Sequence, residues 1–340
     1  MASEGGPMNF AAAMEKKTDS SPLRNVQLDG LAVLKILKHC KESMPSLVTG
    51  QLLGLDIGQT LEVTDCFPFP TRTEDDEGNE ADGANYQLEM MRCLREINVD
   101  NNTVGWYQST QLGSFQTVEL IETFVNYQES IKRCICIICD PQRSSGGGLA
   151  VKAIKLKDSF ISAYKGDGIL TTEKVKAGNI TWKEIFEEIP VNLQNSALAA
   201  AMLAGIEPPS VIKQIDVDKL NLSVLPTLER NLEFVTDCLD DAVMEQQKVS
   251  YYHRNVARQQ QQQAQWLQKR RQENAQRRAN GEEALPEEDL QQFKPIPEPN
   301  QLDNFLITNQ INTYCEQLSS YSMQSLQKLQ LMEALQQSHL

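Results

Sequence analysis

The sequence predicts an α/β (α+β) domain with a central sheet flanked by helices, followed by long C-terminal helices suited to a helical bundle. Three observations predict it. Helical and strand-like apolar periods alternate from residue 26 to residue 165. Leu225, Leu228, Leu232, Val235, Leu239 and Ala242 then recur at spacings of three and four, a heptad seam. Ile311, Tyr314, Leu318, Tyr321, Leu326, Leu329 and Met332 mark a last amphipathic helix.

Residues 1–24 are rich in Ser, Gly, Lys and Glu and lack an apolar period, which predicts a flexible tail. From Val26 the pattern changes, and Leu31, Leu34, Ile36, Leu37 and Cys40 predict the face of a first helix. Leu47–Leu55 and Thr60–Phe67 predict a hairpin turning at Asp56–Gln59 and closed by Pro68 and Pro70. Six acidic side chains within 74–82 predict a solvated loop. Tyr86–Ile97 predicts a helix with Leu88, Met91 and Leu94 or Arg95 on one side, and Val104–Tyr107 a short strand. Val118, Leu120, Ile121, Phe124, Val125 and Ile131 form a broad helical stripe. Cys134–Cys139 reads as a strand buried on both faces, Asp140-Pro141 and Ser144–Gly148 as a turn, and Leu149–Leu156 as a further strand.

Pro226 stands in the first turn of the heptad helix, and no Pro or Gly follows until Gly281. The predicted organisation is a tail (1–24), the α/β domain (25–165), a connecting segment (166–222) and a heptad then Gln-rich basic helix (223–279). An acidic, Pro-containing linker (280–300) and the C-terminal helix (301–340) complete it. The apolar stripes suit either helices of a partner or packing of the two long helices on each other.

Charge and composition exclude several classes. The 340 residues hold 32 Lys+Arg against 46 Asp+Glu, a net −14 that repels phosphate and argues against a simple duplex binder. The charge is uneven: residues 251–278 carry seven Lys/Arg against Glu273, a net +6, leaving −20 on the other 312. Histidines occur only at 39, 253 and 339, so a paired-imidazole motif is absent. The start lacks the basic and apolar regions of a secretory leader, Ala2 excludes N-myristoylation, and the Ala197–Ile206 apolar run is half a membrane span. The eight scattered cysteines therefore read as reduced cytosolic thiols. No phosphate-binding glycine motif and no G-x-S-x-G elbow occurs. On a strand, Cys134 and Cys136 face one way and Cys139 the other, so the three cannot converge on one metal.

Val104-Gly105-Trp106-Tyr107-Gln108-Ser109-Thr110-Gln111 resembles the central signature of the MPN (JAMM) family, in which Gly-Trp-Tyr leads into His-Ser-His. In active members those two histidines and an aspartate hold zinc, and a glutamate on an earlier strand handles the proton of the metal-bound water. The resemblance places the two histidine positions at Gln108 and Thr110, with Ser109 retained. The serine and aspartate positions fall on Val118 and Ile121, and the glutamate position on Leu47. It therefore implies an MPN domain without catalytic residues, metal ligands or cofactor.

Further motifs are similar to one MPN-bearing component of the eukaryotic translation initiation factor three complex. They are Val26–Leu31, Gly50–Leu55, Cys66–Pro70, Asp140-Pro141, Gln259–Gln263, Leu285–Leu290 and Gln310–Cys315. That resemblance implies a cytoplasmic scaffold that pairs with the second MPN subunit of the complex. Through the complex it would reach the 40S ribosomal subunit and mRNA and help recruit mRNA and initiator tRNA, with no membrane role. Leu225, Leu228, Leu232, Val235, Leu239, Leu318 and Leu329 are the expected partner-helix interface. Arg254, Arg258, Lys269, Arg270, Arg271, Arg277 and Arg278, beside Tyr251, Tyr252 and Trp266, are candidates for contact with RNA or with acidic partners. The rival readings are an MPN scaffold of the proteasome lid or signalosome, and a zinc isopeptidase in which His39 or His253 substitutes for a lost ligand.

Overall fold

The computed structural model describes residues 22–70, 80–97, 102–145, 149–165, 168–205, 225–279, 294 and 296–338. Strand β1 (Asn25–Asp29) leads into α1 (Gly30–Glu42), then the hairpin β2 (Thr49–Ile57) and β3 (Thr60–Pro68), and α2 (Glu80–Glu96). Next come β4 (Thr103–Ser109), α3 (Val118–Ser130), β5 (Ile135–Cys139), the short α4 (Pro141–Ser145), β6 (Val151–Leu156), α5 (Asp158–Tyr164) and α6 (Thr172–Gly178). After a 3-10 turn at Trp182–Glu184 come β7 (Phe186–Ile189), β8 (Val191–Gln194), α7 (Ala197–Gly205), α8 (Leu225–Ala279) and α9 (Leu302–Ser338).

The eight strands form one mixed sheet in the order β7-β6-β5-β4-β2-β3-β1-β8. Its two edge strands are separated in sequence by Pro190 alone. Laid flat, eight strands would span about 34 Å at ~4.8 Å per gap, whereas one intervening residue holds the two ends within about 7.6 Å. The sheet therefore curls until its edges meet at Pro190, whose carbonyl also accepts from the Val26 N–H at 2.9 Å.

Curling separates two cores. One gathers Val26, Leu28, Leu52, Leu61, Val63, Tyr107 and Ile189 under Ala32, Val33, Ile36 and Cys40 of α1. The other gathers Trp106, Cys136, Ile138 and Ile154 under Leu120, Ile121 and Phe124 of α3, Phe160 of α5, and Leu302 and Leu306 of α9. Strand β5 divides between them by its two-residue period: Ile135, Ile137 and Cys139 enter the first core, Cys136 and Ile138 the second, joined there by Cys134. Gly105 of β4 is required here, because a Cβ at that position would collide with the Ile135 carbonyl. Thr117 caps α3 by accepting from the Leu120 N–H at 3.2 Å, which fixes the helix that covers Trp106.

Several expectations are corrected. The predicted tail lies outside the described residues up to 21, but Leu23 is 6% exposed and belongs to the first core. Val26–Leu28, where the apolar pattern starts and the sequence predicts no element, is strand, with Val26 and Leu28 both pointing inward at 0% exposure. The inward face of α1 is Ala32, Val33, Ile36 and Cys40, which turns Leu31 and Leu34 outward at 54% and 62% exposure. Glu80–Asp82 of the expected acidic loop are helical, and 74–79 lie outside the described residues. On the side expected of α2, Leu88 is 71% exposed, while Met91 and Leu94 are half-buried. Residues 141–145 form a helical turn, because the Asp140 carboxylate accepts from the Gln142 and Arg143 N–H groups; 146–148 lie outside the described residues.

The segment 166–222 is more than a connection: it supplies both edge strands, so the domain runs to Gln194 rather than 165. Glu187 and Glu188 pair with Lys155 and Lys152 of β6, which is how charged strand residues are accommodated on the ladder. Helix α7 follows with Leu198 and Met202 at 83% and 70% exposure.

The two long helices pack on each other in antiparallel fashion. Phe234 stacks on Tyr314 with ring centroids 5.8 Å apart, and the Gln259 side chain donates to the Lys294 carbonyl at 2.6 Å. The buried face of α8 is offset from the heptad seam: Asn231 is buried, while Leu232 and Leu239 stay half exposed. The end of the expected linker is tied down too, with Thr172 donating to the Glu298 carboxylate and the Leu170 N–H donating to Asn300 Oδ1 at 3.0 Å. Residues 280–293 and 295 lie outside the described residues.

Candidate functional site

The candidate site forms where β4 ends. Ser109 is stitched to the neighbouring strand both ways: its N–H donates to the Val48 carbonyl at 2.8 Å, and its Oγ accepts from the Val48 N–H at 2.7 Å. The Thr110 N–H donates to the Cys139 carbonyl at 2.9 Å. These bonds commit Ser109, the one side chain retained from His-Ser-His, to holding backbone.

The other positions are not ligands. Gln108 lines a groove of about 230 Å³ with Thr49, Phe69, Thr117 and Glu119. Thr110 lines a different cavity, beside Asp140. Ile121 is wholly buried, Val118 packs against the same core, and Leu47 is 54% exposed. Amide and hydroxyl oxygens are weak donors to zinc, and alkyl side chains supply none. Among the described residues no three His, Cys, Asp or Glu side chains are grouped so that they could hold a metal. The residues present do not fit the zinc centre of active relatives.

The histidines do not restore it. His39 Nδ1 lies 2.8 Å from the Tyr107 hydroxyl, in the core on the other side of β4 from Gln108. Burial lowers its pKa below the usual histidine range, against a smaller opposing pull from Glu42. His253 sits on an exposed stretch of α8. Cys134, Cys136 and Cys139 are buried core side chains, and desolvation pushes the Cys134 thiol up to about 12.

What occupies this end of the domain is the C-terminal helix. The Gln310 side-chain amide donates to the Gly113 carbonyl at 3.2 Å and that of Gln317 to the Leu112 carbonyl at 2.9 Å. Gln116 returns a bond from the loop to Thr313 Oγ1 at 3.0 Å. Leu112 and Gly113 take positive φ values of 52° and 79°, which turns both carbonyls toward α9. Any Cβ at Gly113 would strike the Gln317 amide. Sequence reasoning missed this dock. Its trace was Gln310 and Gln317, seven residues and two turns apart on one helix face, and a glycine three residues after Thr110.

Of the expected partner-helix residues, Leu232, Leu239 and Leu329 are 47%, 49% and 53% exposed, and Leu228, Val235 and Leu318 are half-buried. The Leu225 side chain lies outside the described residues. Along α8, Arg254, Arg258, Lys269, Arg271 and Arg278 are exposed. Arg270 instead lies over the Trp266 ring at 5.1 Å and pairs with Glu273, and Arg277 is half-buried.

A curled eight-stranded sheet between two helix-covered cores, with a Gly-Trp-Tyr strand running into a loop without zinc ligands, defines an MPN-type domain of degenerate metal site. The family described as JAB1/Mov34/MPN/PAD-1 ubiquitin protease matches residues 21–133, and the C-terminal region of eIF3h matches residues 144–340. In Arabidopsis thaliana, the H subunit of eukaryotic translation initiation factor 3 is 59% identical over 330 residues, covering 96% of this chain and 97% of the relative. Its Dictyostelium discoideum counterpart is 43% identical over 93% of this chain and 96% of its own length. The H-B form of Danio rerio is 40% identical over 94% and 96%. The chain belongs to the eIF3h family, the H subunits of eukaryotic translation initiation factor 3.

Proposed function

We propose that the chain is a non-catalytic scaffold of the initiation factor three complex. It assembles in the cytoplasm with the other subunits, the second MPN-bearing subunit in particular, and through them serves recruitment of mRNA and initiator tRNA to the 40S ribosome. One observation carries this reading: the loop that holds zinc in active relatives has non-ligating side chains here and is spent on docking α9. A domain without its reaction centre offers surfaces, and the half-exposed leucines of α8 and α9 extend them. Among the described residues no helix is long and apolar enough to cross a membrane.

Affinity purification of the tagged full chain tests the proposal. Stoichiometric recovery of the other subunits, with no bound zinc and no cleavage of ubiquitin chains, is the expected result. Stoichiometric zinc with chain cleavage would falsify it. Recovery with the proteasome lid or signalosome would transfer the scaffold role to those assemblies.

The exposed arginines of α8 favour one second reading, direct contact with RNA. Truncation at residue 250 cannot separate that reading from partner docking, because it also removes Leu302 and Leu306 from the second core. Replacing Arg254, Arg258, Lys269 and Arg271 by Gln leaves the core intact. Loss of RNA crosslinking from an intact complex supports RNA contact, whereas release from the complex supports docking on acidic partners.

A further inference from the structure

The cavity beside Thr110 is the larger of the two spaces at this end of the domain, about 580 Å³, a volume in the range of ligand sites. One wall is the sheet face carrying Ile138, Ile154 and Phe186, and the opposite wall is the polar flank of α9. Phe115 and Phe186 meet edge to face with centroids 5.9 Å apart, and Trp182 stands at the rim.

Three lining side chains hold an oxygen without a hydrogen-bond partner: Thr110 Oγ1, Gln116 Oε1 and Asp140 Oδ2. Thr110 and Asp140 are only 2% and 3% exposed. The remaining polar atoms of Asp140 and Gln116 are committed. Asp140 Oδ1 accepts from the Gln142 and Arg143 N–H groups, each at 3.1 Å, the Leu112 N–H also favours the Asp140 carboxylate, and Gln116 Nε2 donates to Thr313. Buried oxygens are rarely left without a donor in native proteins. These come from three separate elements, the end of β4, the loop before α3 and the start of α4, and all three can accept.

We propose that this cavity receives the arginine side chain of a partner polypeptide, its guanidinium donating to Thr110, Gln116 and Asp140. Arginine presents five N–H donors in a planar fork, enough to reach acceptors lying in different directions, and it packs on aromatic walls. Its methylene stem suits a sleeve of Phe115, Ile138 and Ile154. The −20 carried outside residues 251–278 favours a basic partner over an anionic one. Of the three lining cations, Lys152 pairs with Glu188 at 2.9 Å, Lys183 lies 4.8 Å over the Trp182 ring, and the Arg143 charge is drawn to Asp140. A nucleotide phosphate would have to break these engagements.

The chain has three tryptophans, and only Trp182 lines this cavity, so 5-fluorotryptophan labelling of the full chain gives a local reporter. The probes are N-acetyl-arginine amide, N-acetyl-lysine amide, N-acetyl-norleucine amide and adenosine monophosphate. The expected result is a saturable shift of the Trp182 fluorine resonance alone, assigned with Trp182→Phe, and strongest affinity for the arginine probe. Asp140→Asn retains an Oδ1 to cap α4 but replaces the unpartnered acceptor with a donor. Thr110→Val removes a hydroxyl whose oxygen bonds to nothing in the fold. Each is expected to weaken the arginine probe about tenfold, as loss of a hydrogen bond to a charged group does, with circular dichroism unchanged. Equal binding of the norleucine probe, equal shifts at Trp106 and Trp266, adenosine monophosphate binding where the arginine probe does not, or no saturable shift, each overturns the proposal. So does undiminished binding in folded Thr110→Val and Asp140→Asn.

Discussion

Gln317 donates its side-chain amide to the carbonyl of Leu112 at 2.9 Å, across 205 positions of sequence. That bond and the one from Gln310 to Gly113 make the degenerate loop and the C-terminal helix a single unit. The arrangement is possible because Leu112 and Gly113 adopt left-handed φ values and because glycine leaves room for the Gln317 amide.

Gly113→Ala is therefore expected to destabilise the protein by about 1–3 kcal/mol, combining a left-handed alanine with displacement of Gln317. Gln317→Ala is expected to cost less, about 0.5–1.5 kcal/mol, the net value of one hydrogen bond. Urea unfolding of both variants checks the order. Equal stability of Gly113→Ala and wild type would show that the loop does not hold α9.

Leu306→Ala should cost about 2–5 kcal/mol, because Leu306 is 4% exposed inside the second core although it belongs to the last helix. The same change at Leu329, 53% exposed, should be near neutral in the isolated chain. If Leu329→Ala weakens recovery of partner subunits while leaving the melting temperature unchanged, the tail of α9 is an interface.

Stability should fall with acid through His39. Its folded pKa lies below the model-peptide value of 6.5, so the unfolded chain binds the proton more readily. The contribution is fully present above 6.5 and is lost as pH drops from there through the folded value. His39→Gln should flatten that part of the stability profile, measured by chemical denaturation between about pH 5 and 8. An unchanged slope would mean that the ring next to Tyr107 titrates normally.

Thiol labelling of the native chain should find Cys93 and Cys315 quickly, because these two are exposed. Cys40, Cys66, Cys134, Cys136 and Cys139 are buried, and desolvation pushes Cys66 up to about 12, so all five should react only on unfolding. Rapid native labelling at any of the five would contradict the packing of the two cores.

Restoring the family's ligands should not restore the centre. Gln108→His with Thr110→His supplies two imidazoles from side chains that line different spaces, and stoichiometric zinc retention is not expected. Adding Ile121→Asp puts a carboxylate into a fully buried site and should unfold the domain, as circular dichroism would report.

Much of this was legible in the sequence where one residue type had one use. The two-face burial of β5 followed from an unbroken apolar run, and its Cys134/Cys139 split followed from strand alternation. The replaced ligand positions could be read one by one from Gly-Trp-Tyr. The edge strands β7 and β8 could not, because Phe-Glu-Glu-Ile and Val-Asn-Leu-Gln are four residues each and carry charge or amides that look like loop. For β7, the partners that settle it are Lys152 and Lys155, more than thirty positions away. The heptad seam left the packing face of α8 open for a related reason. Apolar spacing showed that a face exists, but Phe234 on Tyr314 decides which face meets α9. The dock at Leu112–Gly113 rests on amide–carbonyl bonds, to which hydrophobic periodicity is blind.

The junction at Pro190 also restricts how this molecule can be recognised. Both margins of the sheet are four-residue strands, β7 running into Pro190 and β8 leaving it. Neither gives an incoming strand enough rungs to zip onto, and proline itself contributes no N–H there. Backbone-to-backbone joining is thereby disfavoured at both margins. Association is left chiefly to side chains, on the outer faces of helices and in the recesses between them.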